Sequence, residues 1–123
     1  MKFHLQTQSG QNLFTGHGPG YVAVNGERYT KSLLVTPAAI IADWPVADFE
    51  SLTAEHFAHF ATFKPDLVLL GTGARFRLPP PQLSRGLLAA RIGLEAMDNA
   101  ALCRTYNILL GEGRNVIAAV LLG

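Results

Sequence analysis

The residues best suited to chemistry in this chain lie in two short stretches, Gly71-Thr72-Gly73 and Met97-Asp98-Asn99, each following a run of mostly apolar residues. Open α/β sheets bind ligands in the crevice beyond the carboxyl ends of their strands, which is where such loops fall. Glycines there let a ligand come close to the main chain, and Thr72 offers a hydroxyl donor. Against a ligand stands a plainer role: Gly-X-Gly without the longer phosphate-binding spacing is a common turn, and Asp98 repels anions. Further along, Cys103, Arg104 and Asn107 share one face of an expected helix with Ala100. A helix N-terminus and an adjacent guanidinium both favour thiolate. No histidine is near in sequence, however, and a lone cysteine is more often a small buried hydrophobe. The candidate pocket is therefore Gly71, Thr72, Gly73, Asp98, Asn99, Cys103, Arg104 and Asn107, with no residue given a catalytic role.

Three further groupings are less specific. His56 and His59, three apart on a helix, can approach each other as metal ligands, but two imidazoles without a third donor read as a solvated face, and no metal is expected. Gly16-His17-Gly18-Pro19-Gly20 resembles a phosphate loop only in glycine content, since Pro19 lacks the N–H a phosphate needs. It reads as a turn between strands. Arg75, Arg77 and Arg85 cluster around Phe76 and three consecutive prolines. If residues 75–77 form a strand, alternation turns Arg75 and Arg77 outward and Phe76 to the core, leaving a basic surface that suits an acidic protein partner. A solvated edge and helix face is the simpler alternative.

The elements that must hold these residues follow from pattern. Before residue 36, short β-type stretches alternate with glycine turns: Phe3 to Gln6, Leu13 to Thr15, Tyr21 to Val24, Arg28 to Thr30 and Ser32 to Val35. Asn25-Gly26 favours a type I′ hairpin turn because both positions accept positive φ. Ala38 to Ala42 fits a helical turn with Pro37 at its first position. Thr53 caps a helix to about Thr62 whose apolar face is Ala54, Phe57, Ala58 and Ala61. Leu67 to Leu70, Leu94 to Met97 and Val116 to Leu122 read as strands buried on both faces. Between them lie a helix after Pro79-Pro80-Pro81, with Leu83, Leu87 and Ala90 on one face, and a helix capped by Asp98 or Asn99 running to about Leu110. In that last helix Ala101, Leu102, Thr105, Tyr106 and Leu109 make the apolar stripe. The order α-β-α-β-α-β from residue 53 calls for parallel strands with helices against them.

Composition narrows the classes. A chain of 123 residues, 49% hydrophobic and 15% charged, fits one folded domain spanning 1–123. Ten basic against nine acidic residues, with no basic run, argue against nucleic acid. A single cysteine, no transit-type N-terminus and no apolar run near 20 residues point to a soluble cytoplasmic protein without a membrane span.

The segment Met97 to Leu110, followed by Glu112-Gly113-Arg114 and Val116-Ile117-Ala118-Ala119, resembles the signature of the Mth938-like family. This is a group of small α/β proteins of unknown function that includes mitochondrial complex I assembly factor 3. Gly71-Thr72-Gly73 after an apolar strand, and Gly18-Pro19-Gly20 leading to Val24-Asn25-Gly26, fit the same pattern. Asn99 and Leu102 depart from it, standing where many relatives carry threonine and alanine. The resemblance implies a three-layer α/β fold: a mixed central sheet of about five strands flanked by helices, with an additional N-terminal β-hairpin layer. It carries over no catalytic residue and no cofactor. The expected function is a non-enzymatic accessory or assembly factor that binds a protein partner. The alternative is a small-molecule-binding protein or enzyme with its pocket at the Gly71–Gly73 and Met97–Asn99 loops.

Overall fold

The computed structural model describes residues 10–122, so the strand expected over Phe3 to Gln6 lies outside the described residues. Two sheets are present among the described residues. The first three strands, β1 (Phe14–Gly18), β2 (Tyr21–Val24) and β3 (Glu27–Tyr29), form an antiparallel sheet in the order β1-β2-β3. Asn25 and Gly26 join β2 to β3 with φ of 54° and 85°, the backbone a type I′ turn demands. The second sheet has the order β5-β4-β8-β6-β7, built from β4 (Leu33–Val35), β5 (Ile40–Ile41), β6 (Leu67–Gly71), β7 (Gly93–Met97) and β8 (Val116–Val120). β6 runs parallel to both β7 and β8, while β4 is antiparallel to β8 and to β5. Helices α1 (Ala54–Ala61) and α2 (Arg85–Ala89) cover one face of the second sheet and α3 (Asn99–Gly111) lies against the other, with 3-10 turns at Phe49–Ser51 and Pro81–Leu83.

Because strand side chains alternate between faces, the central strands divide their apolar residues between two cores. Leu33, Val35, Leu69, Val116, Ala118 and Val120 meet α3 and the N-terminal sheet on one side. Leu34, Val68, Leu70, Ile117 and Ala119 meet α1, α2 and Trp44 on the other. β6 and β8 lie inside the sheet, and all five residues of β8 are buried. The layers are thus helices, central sheet, α3 and then the small sheet, whose β1 rests on α3 through Phe14 and Tyr106 with rings edge to face at 5.2 Å.

Several expectations need correction. Leu94 to Met97 is not a central strand but lies in the edge strand β7, partly exposed, because α3 returns the chain to the middle of the sheet and inserts β8 between β4 and β6. Ala38 to Ala42 is not helical. The Thr36 N–H donates to Ala39 O and Thr36 Oγ1 accepts from the Ala39 N–H, both at 2.9 Å, closing a tight turn that sends Ile40–Ile41 back along β4. In α1, capped by Thr53, the buried residues are Phe57 and Phe60, leaving Ala54 and Ala58 exposed. Two phenylalanines outweigh two alanines in setting which face turns inward. Arg91, at φ 61°, ends α2 early, so Ala90 is exposed. Residues 75–77 form no strand, for a reason that lies in Thr72.

Candidate functional site

The C-terminal ends of the three parallel strands are bound together by Asn99. Its N–H donates to Gly73 O (2.9 Å), its Oδ1 accepts from the Gly73 N–H (3.2 Å), and its Nδ2 donates to Leu121 O (2.9 Å). One side chain thus ties the β6 loop and the end of β8 to the start of α3. Asp98 caps that helix, Oδ1 accepting from the Ala101 N–H at 2.8 Å. Gly71 passes directly beneath: a Cβ there would collide with Asn99 Oδ1 and stand 3.0 Å from Leu102 Cδ1. A side chain would displace the residue that holds the strand ends together.

Over this platform opens a cleft of about 340 Å³, walled by the end of β1 and the turn after it (His17–Gly20), Gly73–Ala74, Asp98–Ala100 and Leu121–Leu122. Of the expected pocket residues it gathers Gly73, Asp98 and Asn99. The others lie elsewhere. Thr72 is buried on the far side of Gly73, in a second cleft of about 320 Å³ shared with Asp48, Glu50, Arg75 and Arg77. Its hydroxyl is already in use: Oγ1 donates to Arg75 O (2.7 Å) and accepts from the Arg77 N–H (3.0 Å). Those bonds curl residues 72–77 into a loop, which is why no strand forms there.

Cys103 is 4% exposed, in the core between α3 and the N-terminal sheet. Burial pushes its thiol up to about 12, and the nearby Arg104 only partly offsets this. Burial of this kind favours the protonated, weakly nucleophilic thiol at neutral pH. Arg104 lies on the exposed side of α3, Nη1 donating to Ala100 O at 3.3 Å. Asn107 clamps β1, with Oδ1 accepting from the Phe14 N–H (3.0 Å) and Nδ2 donating to Phe14 O (2.7 Å). The unexpected contributors to the first cleft are His17, Pro19, Leu121 and Leu122. Residues 16–20 read as a turn between strands; Gly16 to Gly18 instead end β1, and only Pro19 and Gly20 turn.

Of the expected basic surface, Arg77 is turned inward against neighbours, paired with Glu50 at 2.6 Å and stacked 4.2 Å over the Phe49 ring. The bond from Arg77 lowers the Glu50 carboxyl below its ordinary range. Arg75 is exposed beside the second cleft, and Arg85 stands on α2 outside both. The conspicuous side chains are apolar: Phe76 is 56% and Leu78 74% exposed. His56 completes the α1 capping box, its Nδ1 accepting from the Thr53 N–H at 3.0 Å, and His59 rests on Phe63. Among the described residues no three His, Cys, Asp or Glu converge as a metal site.

Residues 14–121 match the family described as "Protein of unknown function (DUF498/DUF598)". The chain belongs to the DUF498/DUF598 family. A crystal structure of a Bordetella parapertussis protein shares its fold with a TM-score of 0.86 and 40% identity, covering 92% of this chain and 97% of that one. The solution structure of a Bordetella pertussis protein described as a Mth938-like domain has a TM-score of 0.82 at 34% identity, over 99% of this chain and 92% of that one. A Bos taurus protein named NADH dehydrogenase (ubiquinone) 1 alpha subcomplex assembly factor 3 is 32% identical over 104 residues. That alignment takes in 83% of this chain but 55% of the bovine protein, so the chain spans little more than half the length of that relative. In this DUF498/DUF598 member the stretch Met97 to Leu110 is the last residue of β7 and nearly all of α3, the element carrying both Asn99 and Asn107. No helix among the described residues is long and apolar enough to cross a membrane.

Proposed function

We propose that this chain is a non-enzymatic accessory factor of the cytoplasm that holds another protein during assembly of a larger complex, through the loop from Arg75 to Leu78. The observation that carries this reading is the exposure of Phe76 and Leu78 on a loop fixed in shape by Thr72 and Arg77. A large apolar side chain held in water on an ordered loop loses little entropy when a partner covers it, and aromatics are frequent binding hot spots. The name of the bovine relative supports an assembly role. The commitment of the Thr72, Asn99 and Asn107 side chains to the chain's own backbone, and the protonated Cys103 thiol, weigh against catalysis.

Affinity capture from the native cell, read by quantitative mass spectrometry, tests this. The native chain is expected to retain a partner in stoichiometric amount. The double variant Phe76→Ser, Leu78→Ser is expected to lose it while unfolding at nearly the same temperature, since exposed side chains contribute within about 0.5 kcal/mol. Full retention by the double variant would place the contact elsewhere. The second reading, a small-molecule site in the 340 Å³ cleft, is favoured by its position at the ends of three parallel strands. A metabolite that co-purifies and is lost on substituting His17→Ala would support it.

A further inference from the structure

The central sheet has two unlike edges. β5 is two residues long, too short to template another strand. β7 has five residues, Gly93-Leu94-Glu95-Ala96-Met97, with β6 as its only strand neighbour among the described residues. Edges left open are normally blunted by Pro, Lys, a bulge or a covering element. β7 has no Pro, no Lys and an unbroken register with β6, and it carries one charge, Glu95.

The hydrogen bonds at its two ends fix which main-chain groups face outward. The Gly93 N–H donates to Asp66 O (3.3 Å), and Met97 O accepts from the Thr72 N–H (2.8 Å). In a parallel ladder alternate residues turn both N–H and C=O to the same neighbour. Gly93, Glu95 and Met97 therefore face β6, and the N–H and C=O of Leu94 and Ala96 point away from the sheet. Their side chains rest against the core beneath α1 and α2. The Glu95 side chain is exposed on the opposite face and has no ion-pair partner among the described residues.

We propose that β7 is a docking edge to which an extended segment of a partner protein adds as a sixth, antiparallel strand, with a Lys or Arg opposite Glu95 and apolar residues on either side of it. This rests on the reading that the chain works by holding another protein, and it adds a second contact to the Phe76–Leu78 loop. Leu94 and Ala96 offer two donors and two acceptors at the spacing a strand requires, the arrangement used in strand addition. The residues paired with them project toward the Leu94 and Ala96 face, so apolar side chains fit there. The residue between them projects beside Glu95, where opposite charges attract and like charges repel. The same rule disfavours a second copy in this register, because Leu94 paired with Ala96 would bring Glu95 against its own counterpart.

The probe is a pair of capped pentapeptides, acetyl-Thr-Val-Lys-Val-Thr-amide and the same peptide with Glu in place of Lys, titrated into the ¹⁵N-labelled full chain. The Lys peptide is expected to slow amide exchange at Leu94 and Ala96 and to bind about three- to tenfold more tightly than the Glu peptide. Glu95→Lys should invert that preference. Ala96→Pro should abolish binding while leaving the ladder to β6 intact, since Pro is tolerated where the N–H faces solvent. If the chain carrying Ala96→Pro fails to fold, the inversion by Glu95→Lys still decides. The proposal is overturned if neither peptide slows exchange at Leu94 and Ala96, or if both bind equally. It is also overturned if those amides are already protected in the free chain, either at low concentration, which puts another part of the chain on the edge, or only as concentration rises, which puts a second copy there. None of these results depends on a native partner. Failure here would leave the accessory-factor reading to the capture experiment, and failure of that experiment would not alter these exchange rates or peptide affinities.

Discussion

Two neighbouring regions at the ends of the parallel strands use their side chains in opposite ways. Around the first cleft, the polar side chains of Asp98 and Asn99 are turned onto the chain's own backbone, and so is Thr72 beside it in the second. A few residues away, Phe76 and Leu78 stand in water. An enzyme site usually shows the reverse, with apolar walls sheltered and a few polar groups aimed at empty space. The contrast teaches that the hydrogen-bonding residues of this region brace the fold, Asp98 and Asn99 at the start of α3 and Thr72 under the loop that carries Phe76 and Leu78.

The largest expected effect comes from the platform's tightest point. Gly71→Ala places a methyl where Asn99 Oδ1 lies and close to Leu102 Cδ1. Asn99 cannot swing aside without giving up its bonds to Gly73 and Leu121, and Leu102 is fully buried. Overpacking of this kind costs roughly 1–3 kcal/mol, and we expect about 2 kcal/mol or more in urea unfolding. A loss below about 0.5 kcal/mol would mean that Asn99 is not a fixed support.

Next comes the support of the loop itself. Thr72→Val keeps the shape of the side chain and removes its bonds to Arg75 O and the Arg77 N–H. Two hydrogen bonds with net values near 1 kcal/mol each, partly replaced by water, predict a loss of about 1–2 kcal/mol. The Arg77 amide should exchange faster, while Thr72→Ser stays close to the native chain. If Thr72→Val leaves the Arg77 amide unchanged, the loop is ordered by the Arg77–Glu50 pair and the Phe49 stack instead.

What could be foreseen from sequence divides along the same physical line. The paired cores are legible because strands buried on both faces must be apolar throughout, as Leu67 to Leu70 and Val116 to Val120 are. The β2–β3 turn is legible because Asn25-Gly26 is a local instruction. Strand order is not local: Leu94 and Met97 look as apolar as β6, and only the return of α3 leaves them at an edge. Nor could composition reveal that Thr36 would close a turn before Ile40. The cleft was the least legible part, since it joins residues 17–20 to residues 98–100 across some 80 positions, and apolar Leu121 and Leu122 carry no chemical flag. Cys103 and Asn107 fell on the expected helix, but its orientation puts both against the N-terminal sheet.

Cys103 offers a pH test of that orientation. Its ordinary thiol value of 9.0 is raised to about 12, first by burial. The folded chain therefore keeps this proton at pH values where the unfolded chain has released it. The stabilising contribution is complete below about 9 and is lost as pH climbs toward 12. Urea midpoints measured at pH 8 and pH 10.5 should fall less for Cys103→Ala than for the native chain, a difference on the order of 1 kcal/mol. Native Cys103 should also resist iodoacetamide at neutral pH and react only on unfolding. Fast alkylation of the folded chain would return the thiol to the list of possible nucleophiles.

The smallest effect is expected at the residue that departs from the pattern of committed polar groups. Tyr106 is fully buried on α3, its ring edge-on to Phe14, and its hydroxyl is the one buried side-chain oxygen or nitrogen among the described residues without a hydrogen-bond partner. Burial raises its pKa, so the group stays a neutral phenol. A buried hydroxyl with no partner costs roughly 1–3 kcal/mol of desolvation, whereas an apolar group of the same shape costs nothing comparable. Tyr106→Phe keeps the ring, the Phe14 contact and nearly all the volume. Its stability should therefore match the native chain or exceed it by up to about 1 kcal/mol, with the β1 amides as protected as before. A loss of more than about 1 kcal/mol would show that an ordered water bridges the hydroxyl to the backbone. Tyr106 would then act as Thr72 and Asn99 do, a polar side chain turned inward to brace the fold.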